Sequence, residues 1–80
     1  MTIHKLKIDC NYLFAKLLGL KLFEIRKNDR DFQVGDIVAY EHPGENLNAR
    51  RVHFEILYIT DFMQKPGYIV FAEKPRTDLD

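Results

Sequence analysis

The apolar residues of this chain recur in five short runs with the period of a strand, interrupted once by a run with the period of a helix. With 80 residues, such a chain buries only roughly 60–65% of the surface its unfolded form exposes, so one thin core is all it can build. Closing the strands on one another removes sheet edges that a chain this short has little else to cover. The pattern therefore predicts an α+β fold, a small β-barrel of about five strands with one main helix over it.

The opening TIHKLKID alternates, with Ile3, Leu6 and Ile8 apolar and His4, Lys5, Lys7 and Asp9 polar, apart from one slip at residue 5. NYLFAKLLG then changes period. Leu13 pairs with Leu17 and Phe14 with Leu18 at i, i+4, which puts them on one buried face and turns Lys16 away from it. Asp9 or Asn11 can cap the start, and Gly19 sits where a left-handed C-terminal residue belongs. At about two turns the helix is too short to stand alone and must lie on a sheet.

Further strands are expected at 21–26, 36–41, 50–60 and 68–73. Gly35 and Asp36 make the turn into the third strand, and EHPGENLNA reads as a surface loop. In RRVHFEILYIT, Val52, Phe54, Ile56 and Tyr58 share one face, while Leu57 and Ile59 on the other point to a closed or two-sided core. Pro66 and Gly67 fit the centre of a type II turn. The whole reads as a single domain over 1–75 with a polar C-terminal tail at 76–80.

Twelve basic residues balance twelve acidic ones, so there is no global attraction to a membrane or to duplex nucleic acid, and a polyanion has to be held by a local patch. Cys10 is alone, which fits a reducing compartment, and the N-terminal stretch lacks the apolar core of a signal peptide. No apolar run approaches the ~20 residues needed to cross a bilayer. The expectation is a cytoplasmic protein without a membrane partner. His4, His42 and His53 show no metal-ligand spacing, and no Gly-rich phosphate loop is present, so neither metal nor cofactor is expected. Cys10 reads as a small packed thiol rather than a nucleophile paired with a His.

Charge is concentrated in GLKLFEIRKNDRDF, residues 19–32, with four cations and three carboxylates. GLKLFEIR matches G-x-K-x-x-E-x-R, and with the helix before it and the VGD turn after it the chain resembles the ASCH family of the PUA-like superfamily of small β-barrels, in a short bacterial and phage branch. The similarity runs from Ile3 to Glu73. It implies a PUA-like barrel that binds RNA or a modified nucleoside in a cleft beside the helix, lined by the motif. One similar branch is an amidohydrolase that deacetylates acetylated cytidine with a Lys, a Thr and a Glu. Lys21 stands at its Lys, and Glu24 stands where it has the nucleophilic Thr. Its catalytic Glu lies in a helical insertion with no counterpart here.

Strand alternation places Leu22, Glu24 and Arg26 on one face and assigns Phe23 and Ile25 to the core. Glu24 and Arg26 then lie about 6–7 Å apart along the strand, with Lys21 able to reach the same space. Glu24 can accept from a base edge, while Arg26 and Lys21 donate to phosphate or carbonyl oxygens. The competing reading is an exposed ion-pair cluster worth about 0–1 kcal/mol. Lys27 and Arg30 are candidate phosphate contacts in what otherwise reads as a polar turn. Tyr40 is a candidate stacking face, or else half-buried core. Arg50, beside Arg51, is a candidate for a positive rim. The function expected is an RNA- or nucleoside-binding module. The alternative is hydrolysis of an acylated nucleoside, with Glu24 as general base and Lys21 holding the oxyanion. A protein-interaction module is a third class.

Overall fold

A computed structural model describes residues 1–41 and 51–80 of the chain. The elements are β1 (Ile3–Lys7), α1 (Cys10–Leu17), β2 (Phe23–Lys27), β3 (Ile37–Glu41), β4 (Val52–Thr60) and β5 (Tyr68–Pro75), followed by a 3-10 turn at Thr77–Leu79. Most of the expected 41–49 loop, with His42, lies outside the described residues, as does Arg50.

The five strands form one sheet in the order β1-β3-β4-β5-β2. β1 runs parallel to β3, and every other pairing is antiparallel. The Arg26 guanidinium on β2 donates to the Lys7 carbonyl at the end of β1 across 3.0 Å, so the sheet curls until its two edge strands approach. Among the described residues the fold is thus an α+β curled half-barrel with one α-helix. A seam between β1 and β2 is crossed there by a side chain.

Inside the curl, Leu6, Val38, Tyr40, Phe54, Ile56 and Phe71 form the centre of the core. Tyr40 meets Phe54 edge-on at 5.6 Å, and Phe32 packs on Phe71 at 5.3 Å, both within the favourable range for ring pairs.

The structure corrects which side chains face inward in three elements. In β1 the inward positions are His4 and Leu6, continued by Ile8, while Ile3 is exposed. His4 takes a core position because its Nε2 lies 2.8 Å from the Asp36 carboxylate and its ring packs on Phe32. In β2 the buried residue is Glu24, and Phe23 and Ile25 face outward. In α1 only Leu13 of the expected apolar face packs on the core. Lys16 is fully buried, whereas Phe14, Leu17 and Leu18 are exposed. A polar partner set inside the curl outweighs apolar periodicity in all three.

β4 also departs from a single alternation. Its register with β5 slips between Ile56 and Tyr58, which makes Leu57 the extra residue of a bulge. Phe54 and Ile56 point inward before the bulge and Ile59 packs on the core after it, leaving Leu57 and Tyr58 exposed. No second core is needed to explain the run.

Local turn chemistry holds as read. Asp9 caps α1, its carboxylate accepting from the Asn11 N–H at 2.8 Å. At the other end Gly19 adopts φ +75°. Its N–H donates to the Lys16 carbonyl, and the Leu20 N–H donates to the Ala15 carbonyl, which is the paired closure of a Schellman motif. The Tyr68 N–H donates to the Lys65 carbonyl at 2.9 Å with Gly67 at φ +84°, closing the expected turn. Residues 76–80 do not trail away. Arg76 bonds Glu55 at 2.7 Å, and the Asp80 carboxylate accepts from the His53 N–H at 2.9 Å.

Candidate functional site: a recess at the sheet seam

The Schellman closure reverses the chain after α1 and delivers Lys21 to the start of β2. Lys21 Nζ donates to Glu24 Oε1 at 2.7 Å and to the Phe23 carbonyl at 3.1 Å. Two residues on, Arg26 Nε donates to Glu24 Oε2 at 3.0 Å. The three motif head groups therefore meet at one carboxylate. Together with Lys7, Asp9, Tyr12 and Phe23 they line a recess of about 460 Å³ between β1, α1 and β2.

Beneath Glu24 lies a second charged layer. Lys16 Nζ is 3.1 Å from Glu24 Oε1 and 3.2 Å from the Phe23 carbonyl, and it is in direct contact with Glu73. It also lies 4.7 Å from the Tyr40 ring centroid, a favourable cation–π placement. The Tyr40 hydroxyl donates to the other Glu73 oxygen at 2.8 Å. Every polar head group in this layer has a partner, as burial demands.

The environments push the two glutamates apart. Burial tends to raise Glu24, but hydrogen bonds and charge from Lys21 and Lys16 outweigh it and hold the carboxyl below its ordinary range. Glu73 goes the other way: burial, with the Glu24 charge adding to it, raises its pKa despite Lys16 and Tyr40. Burial and the Glu73 charge likewise push the Tyr40 phenol up, keeping it a donor. Glu24 is thus the fixed anion of the site.

Exposure decides what an occupant would meet. The side chains of Arg26 and Lys21 are 29% and 20% exposed, against 7% for Glu24 and 0% for Lys16. A carboxylate offers about four acceptor positions, and Lys16, Lys21 and Arg26 occupy three of them. Glu24 can accept one more bond and otherwise aims the two cations. The mouth is a donor surface.

Aromatic walls complete it. Lys21 Nζ lies 5.1 Å from the Tyr12 ring centroid and 5.0 Å from that of Phe23, and both rings are about half exposed. Tyr40 is not part of this wall. It is completely buried with its hydroxyl committed to Glu73, so it offers no face for stacking; the tyrosine exposed beside the recess is Tyr12.

Of the remaining candidates, Lys27 and Arg30 sit in an adjoining recess of about 310 Å³. Arg51, the neighbour of Arg50, pairs with Glu41. Tyr12 and Phe23 line the recess, and Lys16 and Glu73 lie beneath it, without being expected there from the sequence. A signal is present: Glu73 falls on the inward phase of β5 with Ile69 and Phe71, and a core carboxylate needs buried donors, of which a cation is one. Once Lys16 is turned inward, Tyr12 follows onto the same helix face at i, i+4.

A search of curated proteins finds no match to the chain. A family profile described as "Domain of unknown function (DUF3850)" matches residues 3–72, from β1 through α1, the motif and the recess into β5. The chain belongs to the DUF3850 family.

Proposed function

We propose that this protein is a small nucleic-acid-binding module, an ASCH-type PUA-like half-barrel that grips RNA or a nucleoside at the seam recess. The observation that supports this reading is the convergence of Lys21, Glu24 and Arg26 on one concavity flanked by exposed Tyr12 and Phe23. Two donors on a fixed carboxylate suit a planar ligand rich in carbonyl acceptors, and an aromatic wall suits its face. A merely solvated ion-pair turn would not bury Glu24 or stack a second charged layer beneath it. With a net charge of zero, the chain offers a local grip at the recess rather than a surface-wide attraction to a polyanion.

The hydrolytic alternative needs a general base, and Glu24 is poorly suited to be one. Its cationic neighbours hold it ionised and weakly basic. Glu73, whose pKa is raised, has a side chain that is 0% exposed and sits behind Lys16, out of a substrate's reach. Binding is the chemistry this arrangement favours.

Titration of single-stranded RNAs and free nucleosides into the wild type, Lys21→Ala and Arg26→Ala tests the reading. Loss of affinity by about tenfold in Arg26→Ala is expected, the worth of one charge-assisted hydrogen bond. Unchanged affinity in both variants would overturn it.

A further inference from the structure

The recess with Lys27 and Arg30 adjoins the first one and shares Arg26 with it. Both lie on the seam: the first draws Lys7 from β1, and the second draws Leu6, one residue further back. Because β1 and β2 run in opposite directions, stepping back along β1 accompanies stepping forward along β2, and the two recesses form successive segments of one slot.

Their chemistry differs. The first holds Glu24 between cations. The second is lined by Arg26, Lys27 and Arg30 with Asp29 as its carboxylate, and among the described residues neither Lys27 nor Arg30 forms an ion pair. The loop that carries Arg30 is fixed at both ends. The Asn28 N–H donates to the Gly67 carbonyl at 2.8 Å, and the Asn28 side chain accepts from the Phe32 N–H at 3.1 Å. Phe32 is itself core, and Asp31 adopts φ +50° within the turn. Tyr68, partly exposed, closes the recess from β5. Arg26 spends Nε on Glu24 and one Nη2 hydrogen on Lys7, leaving the rest of its fork for an occupant.

We infer that the second recess is a phosphate seat, so that the ligand of the slot is a nucleotide, its base at Lys21 and Glu24 and its phosphate held by Arg26, Lys27 and Arg30. This rests on the base-binding reading of the first recess and adds the substrate class. An excess of unpaired cations on a preorganised turn, one step along the strand from the base recess, is what a phosphate requires and a neutral nucleoside does not.

The test is titration of a nucleoside, its 5′-monophosphate, the corresponding dinucleoside monophosphate and inorganic phosphate, followed by backbone amide shifts. Wild type and Lys27→Ala/Arg30→Ala are compared; both side chains are exposed, so the double variant folds. The expected result is about tenfold tighter binding of a phosphorylated ligand than of the nucleoside, with shifts at residues 27–32. The double variant removes that margin and leaves nucleoside affinity unchanged. If the dinucleotide shows the margin and the monophosphate does not, the seat takes an internal phosphodiester; the reverse marks a terminal phosphate. Equal affinity for nucleoside and both phosphorylated forms overturns the phosphate seat while leaving the base recess standing. Inorganic phosphate shifting residues 27–32 with no nucleoside binding overturns the base recess instead. No binding of any of the four overturns both.

Discussion

Lys16 and Glu73 are 57 residues apart in sequence and meet head to head in the core of the half-barrel. This contact is what turns the polar side of α1 inward, and through Lys16 it reaches Glu24 on the floor of the recess.

Removing one partner strands the other. Lys16→Met is expected to cost about 3–5 kcal/mol, since two carboxylates lose their buried cation. Lys16→Met/Glu73→Met should recover much of that loss, because the unpaired charge goes with its partner. Urea denaturation of the two variants reads the difference; a double variant no more stable than the single one would contradict the coupling.

The glutamates also set opposite slopes of stability with pH. Glu24 and Asp36 have lowered pKa values in the folded state. Asp36 is lowered, against its burial, by His4 and by the Thr2 and Gln33 N–H groups. Their contribution is present above the ordinary values of 4.5 and 3.8 and is lost as pH falls through the lower folded values. Glu73 is raised, so its contribution is full below 4.5 and is lost as pH rises through its higher folded value. Stability should therefore peak in mildly acidic solution rather than at neutrality. Thermal melts across pH check this, and Glu73→Gln should flatten the falling limb on the neutral side.

Tyr12 and Tyr40 separate binding from folding. Tyr12→Ala removes an exposed ring and should change stability by less than about 0.5 kcal/mol. The same change weakens single-stranded RNA binding by about 1–3 kcal/mol if a base stacks there. Tyr40→Phe should do the reverse: a loss of about 1–2 kcal/mol of stability as Glu73 loses its hydroxyl donor, with RNA affinity intact. Parallel melts and titrations of the two variants distinguish the roles.

Gly19 links the helix end to the motif. Gly19→Ala forces a side chain into φ +75° and should cost about 1–2 kcal/mol. A calorimetric melt measures it, and unchanged stability would mean that the turn relaxes without the Schellman closure.

Much of the local architecture was legible from residue types. The Asp9 cap, the Gly19 turn, the Pro66–Gly67 turn and the five strands each depend on a few neighbouring residues, and local chemistry decides them. The grouping of Lys21, Glu24 and Arg26 was legible too, since alternation and one helix exit suffice. What the pattern misassigned was which face points inward. His4, Lys16 and Glu73 occupy core positions because partners far along the chain satisfy them, and Glu24 because Lys16 joins its near neighbours Lys21 and Arg26; a periodicity count that scores charge as solvent-facing misplaces all four. Leu57 misled for a different reason: a bulge shifts the phase midway through β4, and nothing in RRVHFEILYIT marks it. Tyr40 was drawn outward by its position at a strand end, whereas its hydroxyl serves Glu73.

The Arg26 guanidinium fastens β2 to the Lys7 carbonyl of β1 where strand-to-strand ladders do not reach. A molecule lodged there would touch both margins of the curled sheet and act as a rivet through that fastening. Occupancy and rigidity are then a single equilibrium, so anything that fits the slot should raise the melting temperature in proportion to the logarithm of its concentration.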